Sequence, residues 1–284
     1  MGCIIKPGIY DMPAEQYHLD PCPEPSLSAS IATILSKRTA KQAWFAHPRL
    51  NKNAIPKNKD YFDFGRAMHA EVLEPEKKLI ALVNAEDWRT SESRTLKAEL
   101  QSAGRIPMLA KQYEQVQIMT ATAREFIQST KIADDFFDGQ KEATFIAHND
   151  CWLRGRADCI SSDRASIFDY KTVLNAHPDE FVNYTVPKYG YDIQAAMYLE
   201  LNKLTGFKSH CTYWWILQEK EEPYCCSLIE ASQTTLECGR KKLMLAKNQW
   251  IRCMADNEWP GYGSEPYCLD APSWEIANLE MLIC

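Results

Sequence analysis

No run of apolar residues in this 284-residue chain approaches the roughly 18 needed for a membrane-spanning helix, which excludes a helical membrane protein. The opening Met-Gly-Cys-Ile-Ile-Lys-Pro has no long apolar stretch of the kind a secretion signal needs. A myristoylation motif would want Ser or Thr one residue before Pro7. A cytoplasmic protein is expected. No Cys-x-x-Cys pair occurs among the eleven cysteines, and only Cys225 and Cys226 are adjacent. Without short metal-binding spacings they read as reduced, mostly buried small apolar residues. A zinc or iron–sulfur site assembled from distant cysteines, such as Cys22 with Cys253 and Cys268, stays open. Positive charge is not in excess: the net charge of −6 argues against a whole-surface grip on nucleic acid, though not against a local basic groove. Internal repeats and low-complexity tracts are absent.

Beyond these absences, the periodicity describes an α/β protein. Residues 1–25 carry five prolines and read as an extended lead-in. Ser28 or Ser30 is placed to cap a helix through Ile31, Ile34 and Leu35. A short helix over 40–46, an exposed Lys/Asn-rich loop over 51–60 and a helix over 61–73 follow, then a short strand over 79–83. Residues 96–130 are helical with a break near 104–107. The period then changes: 142–149, 152–160 and 166–172 are predicted as three strands of an antiparallel meander. A helix over 192–204 is stopped by Gly206. Strands over 209–217 and 224–229 and a long helix over 234–257 complete the order, before a Pro- and Trp-rich tail. Trp214-Trp215 is expected in the core, with base stacking by either ring as the other use.

The stretch from Leu153 to Thr172 carries the chemistry. Two strand-like segments each deliver one carboxylate, Asp158 and Asp169, and Lys171 follows the second by two residues. Residues i and i+2 of a strand share a face, so Asp169 and Lys171 lie on one side and Phe168, Tyr170 and Thr172 on the other. Paired carboxylates suit a hard divalent cation, and a neighbouring ammonium can position water or stabilise charge on a phosphate. Arg154 and Arg156 alternate onto the predicted face of Asp158, where they can either pair with it or touch phosphate. Gln194 and Tyr198, at i and i+4, share one helix face.

Asp158, then Asp169-Tyr170-Lys171, then Gln194-x-x-x-Tyr198, with His69 on an upstream helix, resembles the PD-(D/E)XK nuclease superfamily in its RecB-like branch. Together with Gly8-Ile-Tyr-Asp-Met-Pro and Ser26-Leu-Ser-Ala-Ser, the pattern is most similar to the C-terminal nuclease domain of RecE, exonuclease VIII, and its phage and prophage relatives. The resemblance implies a restriction-endonuclease-like core, a mixed and mostly antiparallel sheet flanked by helices, with a helical N-terminal elaboration. It divides a single nuclease domain, 1–284, into a mainly helical part (1–135), a sheet core (136–230) and a C-terminal helix and tail (231–284).

For the site, the resemblance implies His69, Asp158, Asp169 and the Tyr170 backbone carbonyl as ligands of Mg²⁺ or Mn²⁺. Lys171 would be the catalytic cation, with Gln194 and Tyr198 as supports or DNA-backbone contacts. Glu142 is a candidate outer acid. Arg38, Lys41, Arg66, Arg154, Arg156 and Lys188 are candidate phosphate contacts, and Gly65 is expected to admit a neighbouring segment to the His69 helix. The implied activity is 5′-to-3′ degradation of linear double-stranded DNA, leaving 3′ overhangs for recombination. A tetrameric ring and a single-strand annealing partner are implied with it. Two other readings stay open: an iron–sulfur nuclease of the CRISPR-associated or AddB type, and a non-catalytic DNA-binding module on the same fold.

Overall fold

A computed structural model of the chain describes residues 6–51 and 60–283, and the side chains of all of these except 60–63. Most of the loop expected over 51–60 lies outside the described residues. In chain order the first elements are β1 (Gly8–Tyr10), α1 (Ala14–His18), β2 (Leu27–Ser28), α2 (Ala29–Lys37), α3 (Ala40–Ala46) and α4 (Asp60–Leu73). Then come β3 (Ile80–Val83), α5 (Ser91–Ser102), β4 (Ile106–Leu109), α6 (Ala110–Gln128) and α7 (Ala133–Phe137). The central strands are β5 (Gln140–Asn149), β6 (Cys151–Ile160) and β7 (Ser166–Val173). After these come α8 (Pro178–Glu180), a π-helical turn (Phe181–Thr185), α9 (Val186–Tyr189) and α10 (Tyr191–Leu204). The chain closes with β8 (Thr212–Glu219), β9 (Cys226–Glu230), α11 (Gln233–Asp256) and α12 (Ser273–Ile283).

The main sheet runs β1-β5-β6-β7-β8-β9, with β2 beside β6. All neighbours are antiparallel except β7–β8 and β2–β6. The expected mixed, mostly antiparallel sheet flanked by helices is therefore present. Each face of the sheet is covered. Phe168, Tyr170, Trp214 and Ile216 pack into a core with α4 and α6, while Ile167, Tyr213, Trp215 and Leu217 pack into another with α2, α10 and α11. Alternation along β7 thus sends Phe168 and Tyr170 one way and turns Asp169 and Lys171 to the other, as period two requires. Trp214 and Trp215 are both buried, on opposite faces, so neither ring is available to a base.

Two departures from the sequence expectation bear on the site. The extended lead-in expected over 1–25 and the segment after it supply strands at 8–10 and 27–28 that join the main sheet. β1 pairs with β5 at Tyr10↔Thr144, and β2 pairs with β6 at Ser28↔Arg154. The break near 104–107 is itself a strand, β4, which pairs with β3 through Pro107↔Ala81. Helix ends follow local chemistry. Ser28 caps α2 by accepting from the Ile31 N–H, Thr39 and Gln42 form a capping box on α3, and Ser232 caps α11. Glycine permits two close approaches: a Cβ on Gly155 would lie 2.8 Å from the Tyr198 ring, and one on Gly239 2.1 Å from the Asp192 carbonyl oxygen. These let α10 lie against β6 and α11 against α10. Among the described residues no helix is long and apolar enough to cross a membrane.

Candidate active site

The site forms where β6 and β7 part. The two strands pair only at Cys159↔Phe168 and Ile160↔Ile167, next to their turn. Beyond that they diverge, and the far end of β6 pairs instead with β2. Asp158 sits at the fork, and its Oδ2 accepts from the Tyr170 backbone N–H at 2.8 Å. The carboxylate thus takes the place of the ladder partner that the divergence removes.

Asp169 is 1 % exposed. Its Oδ1 accepts from Lys171 Nζ at 2.6 Å and from Gln194 Nε2 at 3.1 Å. Its Oδ2 is buried with no hydrogen-bond partner. A buried carboxylate oxygen without a donor is costly unless a cation meets it. His69, on α4, lies with Nδ1 3.7 Å from Asp158 Oδ2 and its ring edge-on to Tyr170. A hydrogen bond to the Tyr170 backbone also reaches it. Ligand atoms of His69, Glu142 and Asp158 all lie within 4.8 Å of one another.

Glu142 therefore lies in the same cluster as His69 and Asp158. Register sets it opposite Asp158, between the pairs Lys141↔Cys159 and Ala143↔Ala157. Its backbone is left-handed at φ 52°, an unfavourable conformation for a non-glycine residue that tends to persist where the surroundings impose it. Two acids facing each other across strands repel. Arg156 relieves part of this by donating to Glu142, and is itself held by the Met12 carbonyl and Thr144.

The electrostatics suit a cation. Burial lowers the basicity of His69, helped by the Lys171 charge, and so keeps a lone pair free. Burial raises the Asp158 and Glu142 carboxyls. It carries Asp169 up to about 6 despite the opposing pull of Lys171. Burial alone would discharge Lys171, but Asp169 and Asp158 outweigh it and hold the ammonium above its ordinary range. Lys171 is thus held as a positive charge beside Asp169. With an orphaned acid oxygen and converging imidazole and carboxylates, the donor set fits a hard divalent ion such as Mg²⁺ or Mn²⁺.

The remaining expected residues divide. Tyr198 donates to the Arg156 carbonyl at 2.8 Å and is buried, so it fastens α10 to β6 and does not reach DNA. Arg66 is exposed and lines a cleft of about 1030 Å³ together with His69, Glu142, Arg156, Lys171 and Tyr191. Lys188 is exposed on α9. Gly65 faces open space on the cleft wall and admits no neighbouring segment.

Arg154 is a correction. Its side chain is 5 % exposed, 3.3 Å from Asp20, and donates to the Ser26 carbonyl and hydroxyl. Burial and this pairing remove it from any phosphate. Asp20 also meets His47 at 3.3 Å and accepts from the Ser26 N–H. Burial alone would raise its carboxyl, but His47, Arg154 and Ser26 together hold it below the ordinary range. No spacing in the sequence links Asp20 to Arg154. Arg154→Ala should therefore act on folding: a loss of about 1.5–3 kcal/mol is expected in urea denaturation, since buried Asp20 loses its guanidinium partner and keeps only His47 and Ser26.

Among the described residues the cysteines form no cluster. Cys22 packs with Met12 and Ile146, Cys253 lies in the α11 core, and Cys268 is exposed. Among the described residues, only His69, Glu142 and Asp158 form a group of three or more His, Cys, Asp or Glu residues with metal-ligand geometry.

The family described as "PDDEXK-like domain of unknown function" (DUF3799) matches residues 36–271. A protein from Eubacterium rectale, described as a candidate exonuclease, has a similar structure: TM-score 0.62, 15 % identity, covering 95 % of this chain and 98 % of that one. A phage-related exonuclease from Haemophilus somnus 129PT gives TM-score 0.32 and 14 % identity, over 67 % of this chain and 95 % of that one. The alkaline exonuclease LHK-Exo from Laribacter hongkongensis gives 0.31 and 14 %, over 69 % and 97 %. The likeness of fold rests on the first. No curated protein matches the sequence.

Proposed function

Because the chain belongs to the PDDEXK-like family DUF3799, and so to the PD-(D/E)XK nuclease superfamily, we propose that it is a metal-dependent deoxyribonuclease. In this reading it is an exonuclease that degrades one strand of linear double-stranded DNA from the 5′ end. The buried, partnerless Asp169 Oδ2 beside Lys171 is the observation that supports this most directly. Asp158, Asp169, His69 and the Tyr170 carbonyl would hold Mg²⁺ or Mn²⁺, with Glu142 as a further donor. When bound, the ion polarises the scissile phosphate and lowers the pKa of a water molecule.

The chain's own residues do the rest. Lys171 presents a fixed ammonium to the charge that develops on the phosphate. Gln194 holds Asp169 through Oδ1, and Oδ2 is left without a donor. Tyr198 and Gly155 set the distance of α10 from β6, and so the reach of Gln194. Arg66 and Arg156 line the cleft as candidate phosphate contacts, and Lys188, exposed on α9, is a further candidate. Cytoplasmic location, a ring of subunits and a single-strand annealing partner extend the proposal through the likeness to RecE.

The test is Mg²⁺-dependent digestion of end-labelled linear duplex beside a covalently closed circle. Loss of the linear DNA alone, with early release of a 5′ label, is the expected result. Cutting of the circle at an equal rate would replace the exonuclease by an endonuclease. Survival of both, in Mg²⁺ and in Mn²⁺, would remove the nuclease reading.

A further inference from the structure

A column of aromatic rings rises out of the core beside the acids and ends in solvent. Its base is Trp215 on β8, the residue paired with Asp169 across the β7–β8 ladder. The Phe181 ring meets Trp215 edge-on at 5.5 Å. Tyr191 stacks on Phe181 with ring centres 5.8 Å apart and planes 28° apart. Tyr189 stacks on Tyr191 at 5.7 Å and 25°. Burial falls along the column, from Trp215 and Phe181, which are sealed in the core, to Tyr189, which is 52 % exposed.

Local backbone chemistry builds the column. Tyr189 ends α9 and Tyr191 begins α10, and Gly190 between them adopts φ 73°, a left-handed turn natural to glycine. A Cβ at Gly190 would also lie 2.6 Å from the Thr33 side chain, so the turn is both bent and tightly seated. This turn folds two tyrosines of neighbouring helices onto each other.

Cations accompany the rings. Lys171 Nζ lies 5.2 Å from the centre of the Tyr191 ring, and Lys188 Nζ lies 5.4 Å from that of Tyr189. Tyr191 and Lys171 both line the cleft. A DNA strand presents the complementary series: flat bases, each followed by a phosphate. Every base has a face that stacks on an aromatic ring, so such contacts hold a strand without reading its sequence.

We infer that Tyr189 is a stacking platform for an unpaired nucleobase next to the scissile phosphate, with Lys188 moving from the ring to the adjoining phosphate. The inference rests on the proposed nuclease reading and gives it a substrate detail: the strand enters with its terminal base unpaired. The column fixes the height of that base relative to Lys171. Tyr189 is a positioning residue, because it acts on the reacting atoms through the strand it holds.

The experiment uses the full chain in EDTA and a short DNA duplex whose 5′-terminal base is 2-aminopurine. Native protein and Tyr189→Phe should quench the probe on binding. Tyr189→Ala should leave it bright and bind about five- to a hundredfold more weakly. In Mg²⁺, Tyr189→Ala should raise KM by a similar factor with kcat little changed. Thermal melting of both variants checks that the exposed ring is not needed for folding. Equal quenching by Tyr189→Ala overturns the inference while leaving the nuclease reading intact, provided native protein cleaves linear DNA. Quenching lost equally in Tyr189→Phe overturns it too, since that would assign the effect to the hydroxyl. If native protein neither binds nor cuts DNA, the nuclease reading and the inference both fail.

Discussion

Replacing Lys171 with alanine is expected to lower DNA cleavage by about a hundredfold to a thousandfold while the protein still folds. The ammonium is 2.6 Å from Asp169 Oδ1, its side chain 18 % exposed, and it opens onto the cleft. Among the described residues it is the positive charge held within hydrogen-bond reach of Asp169. Folding should survive because Asp169, already raised to about 6 by burial, can take up a proton when its cation is removed. Arginine should rescue little, since its planar fork and greater length do not reproduce a point charge at this position. Asp169→Ala should be at least as damaging, because it removes both the orphaned oxygen and the anchor of Lys171. The measurement is kcat on linear duplex, with circular dichroism melting alongside. A Lys171→Ala enzyme within threefold of native would defeat the assigned role.

A divalent cation should stabilise the protein strongly at pH 8 and weakly at pH 5. Burial raises the carboxyls of Glu142, Asp158 and Asp169, the last to about 6 from an ordinary 3.8. The sign follows from proton counting. Between the unfolded and folded values the native state holds more protons than the unfolded one, so stability falls as pH rises. The favourable contribution of protonated Asp169 is complete below about pH 4 and is lost as pH rises through about 6. Above that, metal-free protein carries unneutralised buried acids, and a cation removes the penalty.

At a hundredfold excess over its dissociation constant, a ligand adds about 2.7 kcal/mol. For a chain of this size that corresponds to about 4–5 °C in Tm. Calorimetry in Mn²⁺ and in EDTA at both pH values measures it. Asp169→Asn should lose most of the shift. A shift of equal size at both pH values would count against these acids as the binding groups.

The catalytic half of the molecule was open to reading because its chemistry is local. The alternation of Phe168, Asp169, Tyr170 and Lys171 fixes which side chains share a face once the segment is a strand. Gln194 and Tyr198 share a helix face by spacing alone. What could not be read is what distant segments bring. Arg154 has the same strand parity as Asp158, yet it turns to Asp20, a partner on a segment 134 positions earlier that no local pattern announces. Glu142 lies opposite Asp158 only because of the β5–β6 register, which the sequence does not specify. Its left-handed backbone has no signature in residue type. Pro107 looked like a helix break because proline interrupts helices, and the two-stranded pairing with β3 that accommodates it is a tertiary effect.

The pairing of β1 and β2 with the central strands has a practical consequence for where the protein can be cut. The family match begins at residue 36, beyond both strands. A fragment trimmed to that boundary would lose the Met12 carbonyl that steadies Arg156, the Asp20 that neutralises Arg154, and the strand that takes over the edge of β6 where β7 departs. Residues 8–28 brace β5 and β6 beside the fork, so trimming them should loosen the setting of Arg154 and Arg156.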